Sequence, residues 1–357
     1  MIPDTLLRQI ASESLHSCGS GICWHTVLHK KELCIGFIGG SVTQGYCGGT
    51  YNPASYPVLV AEGLRSRGYT VESHLSAEAG MGSMEGNLLA EEQILCHKPD
   101  LVFLEFAINE TTLRPSVIAF ESLLRKLLSY PEPPVVCLLL IRSMNDYSCE
   151  SFMLPLAAHY GLPCVRLRQG LNPALERGAL EWSDYADSEN HPSNDGHRLL
   201  AECLLHLTDT AKELPDEAAA PLPAPWLDAP FETLAYLHPA ADFPGVETAA
   251  GIVPRMHNLR SFPSAWLLTP DTGGMKIRIE CAVLLLFYEA HYLPEYGACR
   301  ITVDGEPFNP PVLHSNTIYG WGNARFVLAV PPGPRGEHII TLEPTEGNFY
   351  VLGFGKC

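Results

Sequence analysis

The 357-residue chain has no basic run: 23 Lys and Arg stand against 40 Asp and Glu, a formal net charge of −17. An acidic surface without a local basic patch is repelled by nucleic acid and by anionic membranes, so neither is expected as a partner. No apolar stretch reaches the ~20 residues that span a bilayer. The opening residues Met1-Ile2-Pro3-Asp4-Thr5 lack the basic-then-apolar layout of a secretory signal. A soluble, cytoplasmic protein is the expectation. No CxxC pair occurs among the twelve cysteines, which fall singly through apparent strands and helices, as at Cys34, Cys96, Cys137, Cys164, Cys203 and Cys281. Buried free thiols in a reducing compartment fit that scatter better than disulfides. None of the fourteen histidines forms HExxH or lies beside a cysteine pair. No metal site is expected.

What the chain does have is apolar residues, 46% of the total, enough for at least one large core and in all expectation two domains. Up to about residue 213, short apolar runs alternate with segments of helical period. Strands are expected at 33–38, 69–74, 100–107, 134–141 and 163–167, and helices at 53–67, 83–96, 115–129, 150–160 and 195–213. Interleaving of this kind predicts an α/β domain, a mainly parallel five-stranded sheet with helices on both faces and right-handed crossovers. Residues 214–230 are rich in Pro, Ala and acidic residues and read as a semi-rigid linker. Beyond them helical periodicity ceases. Strand-like segments at 275–288, 299–303, 324–330, 338–342 and 349–354, with the Asp304-Gly305 hairpin signature, predict an all-β sandwich domain over 231–357.

The chemistry gathers in the first domain, residues 1–213. The apolar run 33–38 breaks on Gly39-Gly40 and presents Ser41 just before a helical pattern. Such a turn places a side chain at the carboxyl edge of a parallel sheet, where open α/β sheets bind their ligands. Read alone, it is more simply a strand-to-helix turn with a serine cap. Three further sites reach the same edge. Gly80, in 75–83, follows the second strand and offers a backbone N–H. Asn109 ends the third strand with a side-chain amide. The stretch 187–197 puts acids and the imidazole of His191 on one loop before the last helix. Nucleophile, oxyanion donors and base on loops at one sheet edge are the layout that acyl transfer requires.

In these residues the chain resembles the SGNH (GDSL-like) hydrolases over roughly residues 20–212, with four blocks in the family's order. Gly39-Gly40-Ser41-Val42-Thr43 is similar to the nucleophile block in its GGS-type bacterial form, and Gly80, with Gly82 as its neighbour, to the second-block oxyanion glycine. Asn109 resembles the third-block asparagine and His191-Pro192 the final block. Two departures stand out: the third block reads Asn109-Glu110 where Asn-Asp is usual, and Ser188 occupies the usual place of the acid three residues before the histidine. Asp187 is favoured as the orienting acid, with Asp184, Glu189 and a Ser–His dyad as the alternatives, and His197 is read as structural.

The resemblance implies a serine esterase that forms an acyl-serine and needs no cofactor. Ser41, His191 and Asp187 are then catalytic, and the oxyanion hole comprises the N–H groups of Ser41 and Gly80 and the Asn109 amide. A small acyl group, most simply acetyl, on a carbohydrate is the expected substrate, since the chain has no long apolar lid and carries an appended β-domain. The aromatics of that domain, Trp266, Tyr288, Tyr292, Tyr296, Tyr319 and Trp321, include candidates for stacking on sugar; Trp321, between two glycines, is the strongest. An acyltransferase using the same residues and a non-catalytic glycan-binding scaffold are the rival readings. The expected partners are therefore a small-molecule or oligosaccharide ester and, in self-association, a homo-oligomer.

Overall fold

The computed structural model describes residues 1–47, 50–240, 245–248, 251–254 and 259–357. The chain divides into two compact units, Met1–Ala229 and Pro230–Cys357.

The first unit is built on a six-stranded sheet of β1 (Leu15–Cys18), β2 (Glu32–Gly39), β3 (Thr70–Ala77), β4 (Leu101–Glu105), β5 (Val135–Leu140) and β6 (Pro163–Arg166). Their order across the sheet is β1-β6-β5-β4-β2-β3. All neighbours run parallel except β1, which lies antiparallel to β6. Five strands were expected. The sixth lies in the N-terminal lead-in, where Leu15–Cys18 is too short and too weakly alternating to announce itself. Every residue of β4 is buried, as a strand covered on both faces must be. The edge strand β3, by contrast, exposes several side chains. Helices Tyr56–Ser66, Ser83–Gln93, Arg114–Leu128, Glu150–His159 and Asn194–Lys212 fill the expected crossovers within a few residues at each end. Asp4–Ser14 and Leu167–Glu176 are additional helices.

Residues 214–229 do not behave as a free linker. Glu121, fully buried, accepts hydrogen bonds from the backbone N–H groups of Trp226, Leu227 (2.9 Å) and Asp228 (3.1 Å). The Arg125 guanidinium donates to the Pro223 carbonyl at 2.7 Å, and Asp216 accepts from the Thr26 N–H at 2.9 Å. Proline-rich composition predicts stiffness but says nothing of what the backbone polar groups bond to, and here a buried carboxylate satisfies three of them.

The second unit is all-β and antiparallel, with two main sheets. One comprises Val246–Thr248, Met275–Cys281, Gly336–Glu346, Ala298–Val303 and Glu306–His314; the other comprises Gly251–Pro254, Ser264–Leu268, Phe349–Lys356, Leu284–His291 and Trp321–Val330, with Ala235–Leu237 added to Phe349–Lys356. The alternation of Met275–Cys281 sends Met275, Ile277, Ile279 and Cys281 into one core with Leu286, Ile301, Leu342 and Phe354. The expected single strand 275–288 is two strands, because the chain crosses from one sheet to the other at Ala282-Val283. Asp304 (φ 54°) and Gly305 (φ 85°) form the tight hairpin, with Val303 opposite Glu306. Pro310 and Pro311 sit in Glu306–His314, an edge strand where the missing N–H groups cost no ladder bond.

Candidate active site

Ser41 opens a one-turn helix, Ser41–Gln44, directly after β2. Its neighbour Gly40 is fixed by contact: a Cβ there would stand 2.3 Å from Asn109 Nδ2, so the absence of a side chain lets the Asn109 amide lie against the Ser41 turn. Below the turn, Thr43 is fully buried and donates to Glu105 Oε2 at 3.2 Å, which leaves its oxygen to accept from the Tyr56 hydroxyl at 2.8 Å. Glu105 ends β4 with no exposed surface. Burial pushes its carboxyl up to about 7, and the bonds from Thr43 and the Ala107 backbone offset only part of that rise. Loss of solvation likewise pushes the Tyr56 hydroxyl well above its ordinary range. The Ser41 helix is thus tied to the sheet through a buried, protonatable group.

His191 Nε2 lies 3.0 Å from Ser41 Oγ, the distance of a nucleophile and its base. Across the imidazole, Nδ1 is 3.2 Å from the hydroxyl of Ser188, and the same hydroxyl accepts from the His191 backbone N–H at 3.1 Å. The Tyr46 ring packs on the imidazole at 4.6 Å between centroids. Partial burial lowers the His191 pKa below its ordinary value, so the ring stays neutral and able to accept a proton at neutral pH. The Asp187 carboxylate is not on His191: it accepts from the Cys47 thiol at 3.0 Å, while its backbone N–H donates to the His191 carbonyl. Burial of Cys47, with that contact second, pushes the thiol up to about 11, keeping it a neutral donor. Asp184 is taken up capping the short helix Trp182–Tyr185, where it accepts from the Glu181 N–H at 2.9 Å. His197 is buried in the last helix and its Nδ1 accepts from the Tyr56 backbone N–H at 3.3 Å. Burial takes its pKa down to about 4, as befits a neutral packed imidazole.

The loop carrying Gly80 is held on two sides. The Ala79 N–H donates to Gln44 Oε1 at 2.8 Å, joining the loop to the Ser41 helix. Glu110 Oε1 accepts from the Ser83 N–H at 2.5 Å, joining it to the Asn109 turn. Gly80 takes φ 85°, a left-handed conformation that few side chains tolerate. Among the described residues, the Gly82 N–H is engaged by Glu85 at 3.1 Å, whereas no hydrogen bond takes the Gly80 N–H. Glu110 is nearly buried at the N-terminus of Ser83–Gln93, and desolvation raises its pKa against the pull of Ser83. The structure therefore links the Ser41, Gly80 and Asn109 loops by specific bonds and adds Gln44, Glu105, Glu110 and Ser188, none of which the sequence marked for a role. Each reaches its partner across sequence gaps that only the parallel register closes, apart from Ser188, whose i−3 spacing to His191 was visible.

Of the β-domain aromatics, Trp266 and Tyr296 are core residues, at 4% and 5% exposure. Tyr292, Tyr319 and Trp321 are open, at 60%, 70% and 48%. Their loops are stitched together by the Tyr292 N–H donating to the Gly320 carbonyl at 3.0 Å and the Thr317 N–H to the His291 carbonyl at 3.0 Å. No helix among the described residues is long and apolar enough to cross a membrane.

A known two-domain structure shares this architecture. The chain is similar to a two-domain esterase active on acetylated mannans, at 21% identity and TM-score 0.83 over 97% of this chain and 98% of that one. The same esterase co-crystallised with mannopentaose gives 20% identity and TM-score 0.83, with 97% of each chain covered. A catalytic mutant of an acetylxylan esterase from Geobacillus stearothermophilus matches at 18% identity and TM-score 0.41, over 49% of this chain and 94% of that one. No curated protein sequence matches the chain. Residues 37–199, which hold Ser41, Gly80, Asn109 and His191, match the GDSL-like lipase/acylhydrolase family model, and the chain therefore carries a domain of that family.

Proposed function

We propose that the protein is a serine esterase that removes a small acyl group, acetyl in the simplest case, from a carbohydrate. The observation that carries the chemistry is the 3.0 Å approach of Ser41 Oγ to His191 Nε2 beside the Asn109 amide. Ser41 Oγ attacks the ester carbonyl carbon while His191 Nε2 takes its proton. The tetrahedral oxyanion is held by the N–H groups of Ser41 and Gly80 and by Asn109 Nδ2, each such donor contributing ~3 kcal/mol. As the carbon–oxygen bond breaks, His191 returns the proton to the departing alcohol and leaves an acyl-serine. Water, deprotonated by the same imidazole, attacks that ester and regenerates Ser41. Ser188 holds His191 Nδ1 in the position usual for a carboxylate. All these steps use side chains and backbone of this chain.

Support for a carbohydrate substrate comes from the whole-length likeness to an esterase active on acetylated mannans and from the three open rings of the β-domain, whose faces suit sugar rings. Incubation with a fluorophosphonate followed by peptide mapping tests nucleophile and activation together: Ser41 alone among the serines is expected to be labelled. Ser41→Ala is expected to abolish p-nitrophenyl acetate turnover and acetate release from acetylated mannan. Unchanged turnover in that variant sinks the esterase reading, and turnover confined to the small ester sinks the carbohydrate one.

A further inference from the structure

At the end of the sheet remote from Ser41, the register of β2 and β3 sets Cys34 beside Glu72 and Gly36 beside His74. Side chains two apart on a strand share a face, so Cys34, Glu72 and His74 converge. Their Sγ, carboxylate and imidazole ligand atoms all lie within 4.8 Å of one another. His74 Nε2 and Glu72 Oε1 are 2.9 Å apart, and the Cys34 thiol donates to the His97 carbonyl at 3.4 Å. The His97 ring lies flat on His74, 3.5 Å between centroids and 7° from parallel, which fixes the plane of the inner imidazole. An open cleft of about 830 Å³ borders Cys34 and Glu72. Of the two lysines that line it, Lys30 is already paired with Asp100.

We propose that Cys34, Glu72 and His74 form a zinc-type metal site between β2 and the edge strand β3 of the first unit. One thiolate, one imidazole and one carboxylate make the mixed donor set that suits Zn2+ rather than Mg2+ or Ca2+. Bonds of ~2.0–2.3 Å at tetrahedral angles need donors ~3.3–3.8 Å apart, so a closure of about 1 Å by side-chain rotation assembles the set. The cleft leaves the fourth position to water. Because Cys34 lies roughly 20 Å along the strand from Ser41, the ion acts on the fold, clamping β3 to β2, and takes no part in ester chemistry. Contiguous motifs cannot reveal such a site, since its ligands come from two parallel strands 38 residues apart at closest, Cys34 to Glu72.

The test is titration of the reduced, metal-stripped full-length protein with Co2+, read by thiolate-to-metal charge-transfer absorption, followed by displacement with Zn2+. One equivalent is expected to bind, Cys34→Ser and His74→Ala each to weaken binding at least about tenfold, and Zn2+ to raise the melting temperature of the unsubstituted protein but of neither variant. Cys96→Ser, at the neighbouring exposed thiol, is expected to bind like the parent. Melting of the metal-free variants checks their folding, and Glu72→Gln replaces either one that fails. Absence of stoichiometric Co2+ binding, binding undiminished in the ligand variants, or loss only in Cys96→Ser overturns the proposal.

Discussion

Ser188 Oγ stands 3.2 Å from His191 Nδ1, a neutral hydroxyl where an acid is usual. A hydroxyl can steady the ring but, unlike a carboxylate, brings no charge to stabilise the imidazolium that the proposed mechanism forms when Ser41 loses its proton. Ser188→Asp is therefore expected to raise kcat for p-nitrophenyl acetate by at least about tenfold, and Ser188→Ala to lower it by about tenfold, one hydrogen bond's worth. A carboxylate beside the ring also raises its pKa. The acid limb of the kcat profile, which in the parent lies below the ordinary histidine range because burial depresses His191, is expected to move to higher pH in Ser188→Asp. An inactive or unshifted, well-folded Ser188→Asp variant removes Ser188 from the mechanism.

The companion prediction concerns Asp187, whose carboxylate faces Cys47. With that contact, Asp187→Asn is expected to change kcat by less than about threefold, while a true orienting acid costs orders of magnitude. A loss of about a hundredfold or more shows that the carboxylate leaves Cys47 for His191 in the working enzyme. Cys47→Ser, which keeps a donor, distinguishes the two by leaving kcat intact in the first case.

What the sequence disclosed follows from which contacts are local. Ser41, Gly80 and Asn109 were legible because each follows closely on a strand, where apolar period gives way to Gly, Ser or Asn, and His191 because it stands in the polar loop before the last helix. The five core strands were legible for the same reason. β1 was not, because four residues, three half-buried and one exposed, make no pattern of their own and owe their pairing to β6. Nor was the fixing of 214–229 to Glu121, since a buried acid in a helix gives no hint of which backbone groups it will satisfy. Glu110 illustrates the limit best: its identity was noticed as a departure, but its bond to the Ser83 N–H depends on two loops brought together by neighbouring strands.

On the proposed mechanism, that bond makes Glu110 a positioning residue for the oxyanion donors. Glu110→Gln keeps shape but replaces a charged acceptor at a helix N-terminus, and Glu110→Ala removes the tie between the Gly80 and Asn109 loops. Displacing a donor by about 1 Å costs up to ~100-fold in rate, so Glu110→Ala is expected to lose roughly 10- to 100-fold in kcat with KM little changed, and Glu110→Gln less. Equal falls in kcat and in folded fraction, measured by thermal melting, reduce Glu110 to a merely structural role. Recovery of kcat in Glu110→Asp supports positioning through the carboxylate.

Glu105 gives a prediction about stability, with its sign set by burial. Its carboxyl titrates near 7 in the fold, against a model-peptide value of 4.5. Below about pH 4.5 folded and unfolded chains are both protonated there, and the group's full contribution to stability is present. Between about 4.5 and 7 the unfolded chain releases its proton while the fold retains one, so stability declines, and above about 7 the loss is complete. The span corresponds to roughly 3 kcal/mol. Glu105→Gln removes the titration while keeping a polar side chain between Thr43 and the Ala107 backbone. The stability of the parent relative to this variant, from urea melts, is therefore expected to fall by a few kcal/mol between pH 4.5 and pH 8, and the neighbouring titrations of His191 and His197 cancel in the comparison. Parallel stability curves for the two proteins across that range show that Glu105 ionises normally and that the buried acid under the nucleophile turn is not held protonated.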